Sequence, residues 1–372
     1  MQNTWRIWYN DTMKQQELTT ENAFTALPQP LLRWFRENAR DLPWRKTEDP
    51  YRIWVSEIML QQTRVAAVLG YYARFLEAFP SVEALAQAPE EHLMKLWEGL
   101  GYYSRARNLQ KAARCVVARG GFPDTYDGLL ALPGVGDYTA SAIASAAFGR
   151  REAAVDGNVL RVVARLTDCH DDILDAKTKR RVRAAVQSVM PTAEADIRIF
   201  NQATMELGAT VCVPNGPPKC EACPVRDVCL GRIRGTAETL PVKRTKKARK
   251  IEEKTVLLLL REGKTALRRR PDTGLLAGLW EFPNTPGTLT EQEAAQAVSA
   301  LSLTAVEWKN KLTAKHIFTH VEWHMTGYTL TVTGKGDESL VWVDGGGLAA
   351  HAVPSAFARY YDEARRQLEE SL

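Results

Sequence analysis

The sequence has no long hydrophobic run. Its longest aliphatic block, Val256–Leu260, is strand-sized, far short of the roughly 20 apolar residues a membrane helix needs. The stretch from Met1 to Glu21 likewise has no apolar core of signal-peptide length. A membrane-spanning or exported protein is therefore not expected. The expectation is a soluble intracellular monomer, cytoplasmic or nucleoid-associated in a bacterium and nuclear in a eukaryote. Internal repeats and low-complexity tracts are also missing, which argues against a solenoid. Cysteine is scarce, at six residues, and without a secretory signal a disulfide framework is not expected. Nor does one sign of charge dominate. The 49 Lys and Arg against 44 Asp and Glu leave +5 and a pI near 8.8, which permits a polyanionic partner without requiring one.

What is present supports more than one domain. The chain has 372 residues, 45% of them hydrophobic, enough for two cores. Residues 1–26 are polar apart from Trp5–Tyr9 and read as a loosely ordered extension. From residue 27 to 233 apolar residues recur at three and four, as in Val82–Leu100, Leu109–Val117 and Ile197–Leu207, the period of amphipathic helices. Residues 234–250 carry the run Lys243-Arg244-Thr245-Lys246-Lys247-Ala248-Arg249-Lys250 and read as a solvated basic linker. Beyond it, residues 251–372 look α+β. Thr255–Leu260 and Thr265–Arg269 read as strands joined by a turn at Glu262-Gly263, His316–Val332 reads as extended, and Ala356–Leu372 reads as a closing helix.

Three local patterns carry chemistry. The first is Leu132-Pro133-Gly134-Val135-Gly136, between helical stretches within about residues 128–148. Its glycines let the backbone approach a phosphate, and the following helix offers free N–H groups to that anion. Such contacts hold a nucleic-acid backbone without reading sequence. The second is Cys212, Cys220, Cys223 and Cys229, within about residues 205–230. Four thiolates so close in sequence suit an iron–sulfur cluster or a zinc ion, and spacing alone does not choose.

The third pattern is a pair of acids. Glu57 is the one acid in the apolar segment Ile53–Leu60, where burial should raise its pKa and keep it protonated, as a general acid requires. Asp156 precedes the helical run Val159–Leu166, whose N-terminus should keep it ionised. A proton donor and an anion are what cleavage through an oxocarbenium-like transition state requires. Taken singly, Glu57 reads as a surface residue and Asp156 as an ordinary N-cap.

Together these strings resemble the adenine DNA glycosylases (the MutY family) of the endonuclease III, or helix-hairpin-helix, superfamily. The most specific are Leu42-Pro43-Trp44-Arg45, Trp54–Thr63, Gly99–Arg105, the hairpin, Val155-Asp156-Gly157-Asn158 and the cysteines. The resemblance spans about residues 28–370. It implies a multidomain α and α+β protein: an all-helical helix-hairpin-helix glycosylase domain with an iron–sulfur module, followed by a C-terminal Nudix-like α+β domain. It also implies one [4Fe-4S] cluster on Cys212, Cys220, Cys223 and Cys229. The implied partner is double-stranded DNA with adenine mispaired to 8-oxoguanine or guanine, handled in base excision repair.

By the same resemblance, Glu57 protonates adenine N7, and Asp156 stabilises the sugar cation or bonds to it transiently before water attacks. Tyr138 and Asn158 orient the carboxyls and water, while Trp44, Arg45 and Glu206 line the adenine pocket. Gln62, Thr63, Leu100 and Tyr102 wedge the stack and contact the opposite base. Pro133, Gly134, Val135 and Gly136 grip the backbone, and Phe318-Thr319-His320 reads the lesion where the family carries Phe-Ser-His. Bifunctional relatives place a lysine where this chain has Tyr138, so a monofunctional hydrolase is implied.

Two departures stand out. The loop Val213–Lys219 is one residue longer than usual, with Lys219 its one basic residue. The segment Gly274–Pro283 resembles a Nudix core, but no Arg-Glu-x-x-Glu-Glu helix follows, so pyrophosphatase activity is not expected. The spacing of His316, His320 and His324 suggests zinc only on a helix, and their segment reads as extended. The alternatives are a glycosylase for oxidised pyrimidines or thymine mismatches, and a catalytically silent lesion-binding protein.

Overall fold

The computed structural model describes residues 19–244 and 248–370. Most of the expected N-terminal extension, and Thr245–Lys247 of the basic run, lie outside the described residues. In chain order the first helices are α1 (Thr20–Thr25), α2 (Pro28–Asn38), α3 (Pro50–Leu60), α4 (Val65–Ala78), α5 (Val82–Gln87), α6 (Glu90–Trp97) and α7 (Ser104–Arg119). Then follow α8 (Tyr126–Leu130), α9 (Asp137–Phe148), α10 (Gly157–Leu166), α11 (Ala176–Val189), α12 (Glu194–Thr210) and α13 (Leu230–Ile233). Beyond them lie β1 (Lys250–Arg261), β2 (Lys264–Arg269), β3 (Trp280–Glu281), β4 (Asn284–Pro286), α14 (Glu291–Ala300), β5 (Thr304–Ile317), β6 (Val321–Thr333), β7 (Leu340–Val343), α15 (Gly345–Ala350) and α16 (Ala358–Glu369).

The chain divides into two compact units, and the division does not follow the linker. One unit comprises residues 1–61 and 115–245, the other residues 62–114 and 246–372. In the first, a core of Leu31, Leu32, Phe35, Val159, Val163, Phe200 and Leu207 joins α2, α10 and α12. Ala23 and Phe24 belong to that core. The polar extension therefore ends earlier than expected, at α1, which Thr19 caps. Helix α9 is built almost entirely of small residues, and all of Thr139–Ala147 is buried, so small side chains permit close helix approach. It ends at Gly149, whose left-handed φ of 61° suits a glycine C-cap. The linker is not solvated along its whole length either. Ala237 and Leu240 are buried, and the Ile173 amide donates to the Val242 carbonyl at 3.2 Å.

In the second unit the single helical run expected over Val82–Leu100 is two helices. Pro89 supplies no N–H and turns Ala88 extended (ψ 141°), which separates α5 from α6. The sheet has the order β3-β2-β1-β6-β5, with β4 also on β1 and β7 on β2. Antiparallel β1 and β2 pair Leu260 with Thr265 around Glu262-Gly263. Both turn residues have positive φ (49° and 69°), as a tight hairpin demands. Strand β1 runs parallel to β6, and its alternating residues fill two cores, Val256, Leu258 and Leu260 facing α16 while Leu257 and Leu259 face α14. The extended segment expected over His316–Val332 is interrupted. It is the end of β5, a turn at Phe318-Thr319-His320, and β6.

Candidate active site

Helix α3 starts with Pro50 at its first position and Asp49 as a side-chain cap, and it carries Glu57 three residues from its end. Tyr138, in the first turn of α9, donates its hydroxyl to Glu57 Oε2 at 2.6 Å and lies 3.2 Å from Met205 Sδ. Burial lifts the Glu57 pKa to about 7, with the charge of Asp156 adding to the rise. The Tyr138 hydrogen bond and the positive charge of Arg45 work against it. The side chain keeps a small opening to solvent, while its carboxyl is enclosed by protein.

Asp156 is the N-cap of α10, as the sequence suggested. Its Oδ1 accepts from the amides of Asn158 and Val159, both at 2.8 Å, and its Oδ2 accepts from Asn158 Nδ2 at 2.7 Å. The sequence led us to expect a helix terminus that simply holds this acid ionised. Burial instead raises its pKa, against the pull of those three donors and of Arg161. The difference from Glu57 lies in the donors. Asp156 has three that favour its anion and Glu57 has Tyr138, so the proton of the pair belongs to Glu57.

Asn158 is itself held. Arg161, one turn further along α10, donates to Asn158 Oδ1 at 2.9 Å, to the Gly208 carbonyl at 2.7 Å and to the Cys212 carbonyl at 2.8 Å. Gly208 is required there, because a Cβ would come within 2.7 Å of Asn158 Cβ. A second buried arginine, Arg165, donates to the carbonyls of Val213 and Leu240 and to Cys212 Sγ at 3.4 Å. The stripe Asn158, Arg161, Arg165 thus runs along α10 from the acid pair to the cysteine loop. Sequence reading missed both arginines; the i, i+4 spacing after Asp156 was the available signal.

Glu206, fully buried on α12, accepts from Arg40 Nε and Nη2 and from Arg45 Nη2, each at 2.7 Å. Burial alone would raise its pKa, but these guanidinium donors outweigh burial and bring it down to about 2. Trp44 is buried beside them on a single 3-10 turn, Pro43–Arg45. Arg40 is a third residue that sequence reading missed, since it lies in a loop with no periodicity to mark it.

The hairpin adopts the expected form. Val135 is buried and its amide closes a turn onto the Leu132 carbonyl at 3.1 Å. Gly134 has φ 75°, and Pro133 is half-buried. Gly136 caps α9 without a side-chain hydrogen bond, so the first amides of that helix have no capping side chain.

Cys212, Cys220, Cys223 and Cys229 line one cavity together with Arg165, Arg226 and Arg232. Burial and the three neighbouring thiols push the Cys223 thiol up to about 12. Among the described residues no group of three or more His, Cys, Asp or Glu forms a ready ligand set for a metal ion. The donor chemistry nevertheless fits an anionic thiolate centre. Arg161 and Arg165 are buried and direct their donors mainly at carbonyls and a sulfur, with no carboxylate bonded to either, and buried cations call for a counter-charge.

In the second unit Tyr102 is exposed, with φ 49°, and its hydroxyl lies 2.5 Å from Thr319 Oγ1. Gln62 is exposed with φ 59°, Thr63 is partly exposed, and Leu100 is buried. Phe318 packs edge-on against His316 and Trp323, which leaves Thr319 and His320 outward at the turn. A cavity brings together the predicted Gln62, Tyr102, Phe318, Thr319 and His320, while Thr63 and Leu100 do not line it. Arg107 donates to the Ala277 carbonyl at 2.7 Å, and Glu98 Oε1 accepts from the Val353 amide at 2.9 Å. Both contacts tie α6 and α7 to the sheet-bearing part of the same unit. Helix α14 follows β4, and Glu293 in its first turn forms a capping box with Thr290.

Residues 55–191 match the family described as HhH-GPD superfamily base excision DNA repair protein, and residues 255–363 match the NUDIX domain. The chain is 34% identical to the adenine DNA glycosylase of Rattus norvegicus, over 92% of this chain and 79% of that protein. It is 36% identical to the adenine DNA glycosylase of Homo sapiens, over 84% of this chain and 68% of that protein. Among solved structures it resembles a thermostable thymine-DNA glycosylase, with a TM-score of 0.51 and 28% identity over 58% of this chain and 99% of that one. The helical part is a helix-hairpin-helix base-excision domain, and the C-terminal part is a Nudix-like α+β domain. The chain belongs to the adenine DNA glycosylase family. Among the described residues no helix is long and apolar enough to cross a membrane.

Proposed function

We propose that this enzyme hydrolyses the N-glycosidic bond of adenine mispaired with 8-oxoguanine or guanine in double-stranded DNA. The observation that carries the reading is the buried Glu57 carboxyl, with a pKa of about 7 and bonded to Tyr138, near Asp156, the N-cap of α10. The adenine is flipped from the duplex, at a cost offset by pocket contacts. Glu206, Arg40 and Arg45 form the polar wall of that pocket, with Trp44 behind them. Glu57 donates its proton to N7 of the base. The bond between C1′ and the base nitrogen breaks with its electron pair going to the base, which leaves as neutral adenine. The carboxylate of Asp156 faces the positive charge developing on the sugar. Water then adds to C1′ and releases a proton, leaving an abasic site. Tyr138 and Asn158 hold the two carboxyls in place. With Tyr138 where a Schiff-base lysine would stand, no strand cleavage through an imine is available.

In the second unit, Tyr102, Gln62 and the turn Phe318-Thr319-His320 meet the opposite base, with the Thr319 hydroxyl and the His320 ring as hydrogen-bonding groups. The test is a panel of duplexes carrying 8-oxoguanine:adenine, guanine:adenine, guanine:thymine and thymine glycol. Free adenine should be released from the first two alone; release of thymine or of thymine glycol instead would overturn the assignment. His320→Ala should lower the ratio of the 8-oxoguanine:adenine rate to the guanine:adenine rate by about 10-fold, the worth of one good base contact. An unchanged ratio would remove the lesion-reading role from this turn.

Cys212, Cys220, Cys223 and Cys229 are the residues that would hold a [4Fe-4S] cluster. Bound there, it would supply iron–thiolate bonds that brace the loop against Arg161 and Arg165. Purified protein should contain about four iron and four sulfide per chain, with visible charge-transfer absorption that Cys223→Ser diminishes. Zinc without sulfide would reject the cluster in favour of a mononuclear site.

A further inference from the structure

The hairpin is the expected holder of the DNA backbone, but a second cationic surface opens onto the same acid. Helix α11 reads Ala176-Lys177-Thr178-Lys179-Arg180-Arg181-Val182-Arg183 through to Val189 and contains no acid. Its buried face is Thr178, Val182 and Val186. Lys177 and Arg181, and likewise Lys179 and Arg183, are like charges one turn apart, a spacing that weakens a helix unless an anion answers it.

Two of these cations are already answered. Arg181 pairs with Asp171. Arg183 stacks on Tyr126 at 4.7 Å and donates to its hydroxyl and to Ser141 Oγ, both at 3.2 Å, with Glu152 at 3.5 Å. Lys179 and Arg180 are exposed and have no carboxylate partner among the described residues.

Both line one cavity with Arg183 and Lys243, and that cavity also contains Tyr138 and the catalytic candidate Asp156. It measures about 1070 Å³ with its open mouth included, at the upper end of ligand-sized clefts. Its two acids are both engaged. Asp137 accepts from the Tyr126 hydroxyl at 2.7 Å, and Asp156 accepts its three capping bonds. Any nucleotide whose C1′ reaches Asp156 brings its two flanking phosphates to the same neighbourhood, where the Asp156 anion would repel them. The cations that line the same cavity offset that repulsion.

We propose that Lys179 and Arg180, with Lys243 of the same cavity lining, form a phosphodiester site for one of the two phosphates flanking the extruded nucleotide. The site is separate from the turn Pro133–Gly136. It deepens the glycosylase reading, because it needs a sugar facing Asp156, and the occupant is a DNA phosphate rather than a free anion.

The test uses the full chain and a duplex carrying a tetrahydrofuran abasic-site analogue opposite 8-oxoguanine. Each flanking phosphate is replaced in turn by an uncharged methylphosphonate. The double variant Lys179→Ala/Arg180→Ala should bind the native duplex about 10-fold more weakly. It should also lower the slope of log affinity against log salt concentration by about 1, the share of the one phosphate no longer neutralised. At one of the two positions, methylphosphonate should weaken the wild type yet leave the double variant unchanged. Lys177→Ala, on the same helix but outside the cavity, should lose less than 2-fold.

Equal losses from Lys177→Ala would mean diffuse surface charge and overturn the proposal. So would variant and methylphosphonate effects that multiply at both positions. Because these measurements read binding, they stand apart from the duplex panel. If no adenine were released there, the glycosylase reading would fail while the phosphate site could still be found.

Discussion

Glu57→Gln should lower single-turnover adenine release by about 10³-fold, within the range a positioned general acid supplies, while duplex affinity changes little. Glutamine keeps an oxygen to accept the Tyr138 hydroxyl but has no proton to give to N7. The pH profile follows from the same group. In the proposed reaction Glu57 acts protonated, and with a pKa of about 7 kcat/KM should fall as pH rises through 7. On the acid side the rate should fall where Asp156 becomes protonated, at a pH above its ordinary carboxylate value.

In Glu57→Gln, stability should move the opposite way from activity. The folded pKa of Glu57 lies above its unfolded value of 4.5. Between about pH 4.5 and 7 the unfolded chain therefore releases a proton that the folded chain keeps. Stability falls across that window and stays lowered above it. The shift corresponds to at most about 3 kcal/mol, less because the side chain is not wholly shut from water. Glu57→Gln should thus be more stable than wild type by about 1–3 kcal/mol at pH 8 and nearly equal at pH 4. Denaturant melts at the two pH values measure this. A variant with wild-type activity, or a stability gain independent of pH, would contradict the assignment of a buried acid.

Asp156→Asn should also lower excision by about 10³-fold or more, the scale of preorganised electrostatic stabilisation, with its fold intact. The reasoning turns on the cap. Asparagine is as good an N-cap as aspartate, so the bonds to the Asn158 and Val159 amides persist and α10 should not lose stability. What disappears is the negative charge proposed to face the sugar. Asp156→Ala would lose charge and cap together, costing about 1 kcal/mol more in stability. If Asp156→Asn retained near-normal single-turnover rates, Asp156 would be a cap and nothing more. Measuring rate and unfolding free energy on both variants separates the two roles.

Much of this protein was legible from local pattern. The hairpin could be read because glycine at a left-handed turn and small residues on the following helix are requirements of backbone geometry, met at Gly134 and Thr139–Ala147. The β1–β2 hairpin was legible for the same reason, at Glu262-Gly263. The break of Val82–Leu100 was missed although Pro89 marked it, because the apolar period carries on across the break. The turn at Phe318-Thr319-His320 was missed because its flanking residues alternate as a continuous strand would. The buried part of the linker was missed because Ala237 and Leu240 are few among charged neighbours.

The sequence by itself determined which residues are available: one acid among apolar neighbours, one before a helix, a tyrosine in place of a lysine, and four clustered thiols. Each follows from residue type and near-neighbour spacing, which local chemistry reads directly. The tertiary structure alone decided how those residues are charged and held. Tyr138 reaches Glu57 from 81 positions away, and Glu206 is bound by Arg40 from 166 away. Arg161 ties Asn158 to the carbonyl of Cys212. Asp156 is raised by burial, although its place before a helix suggested the reverse. A pKa depends on which distant groups surround a carboxyl and how much water they exclude, and neither is written in local sequence.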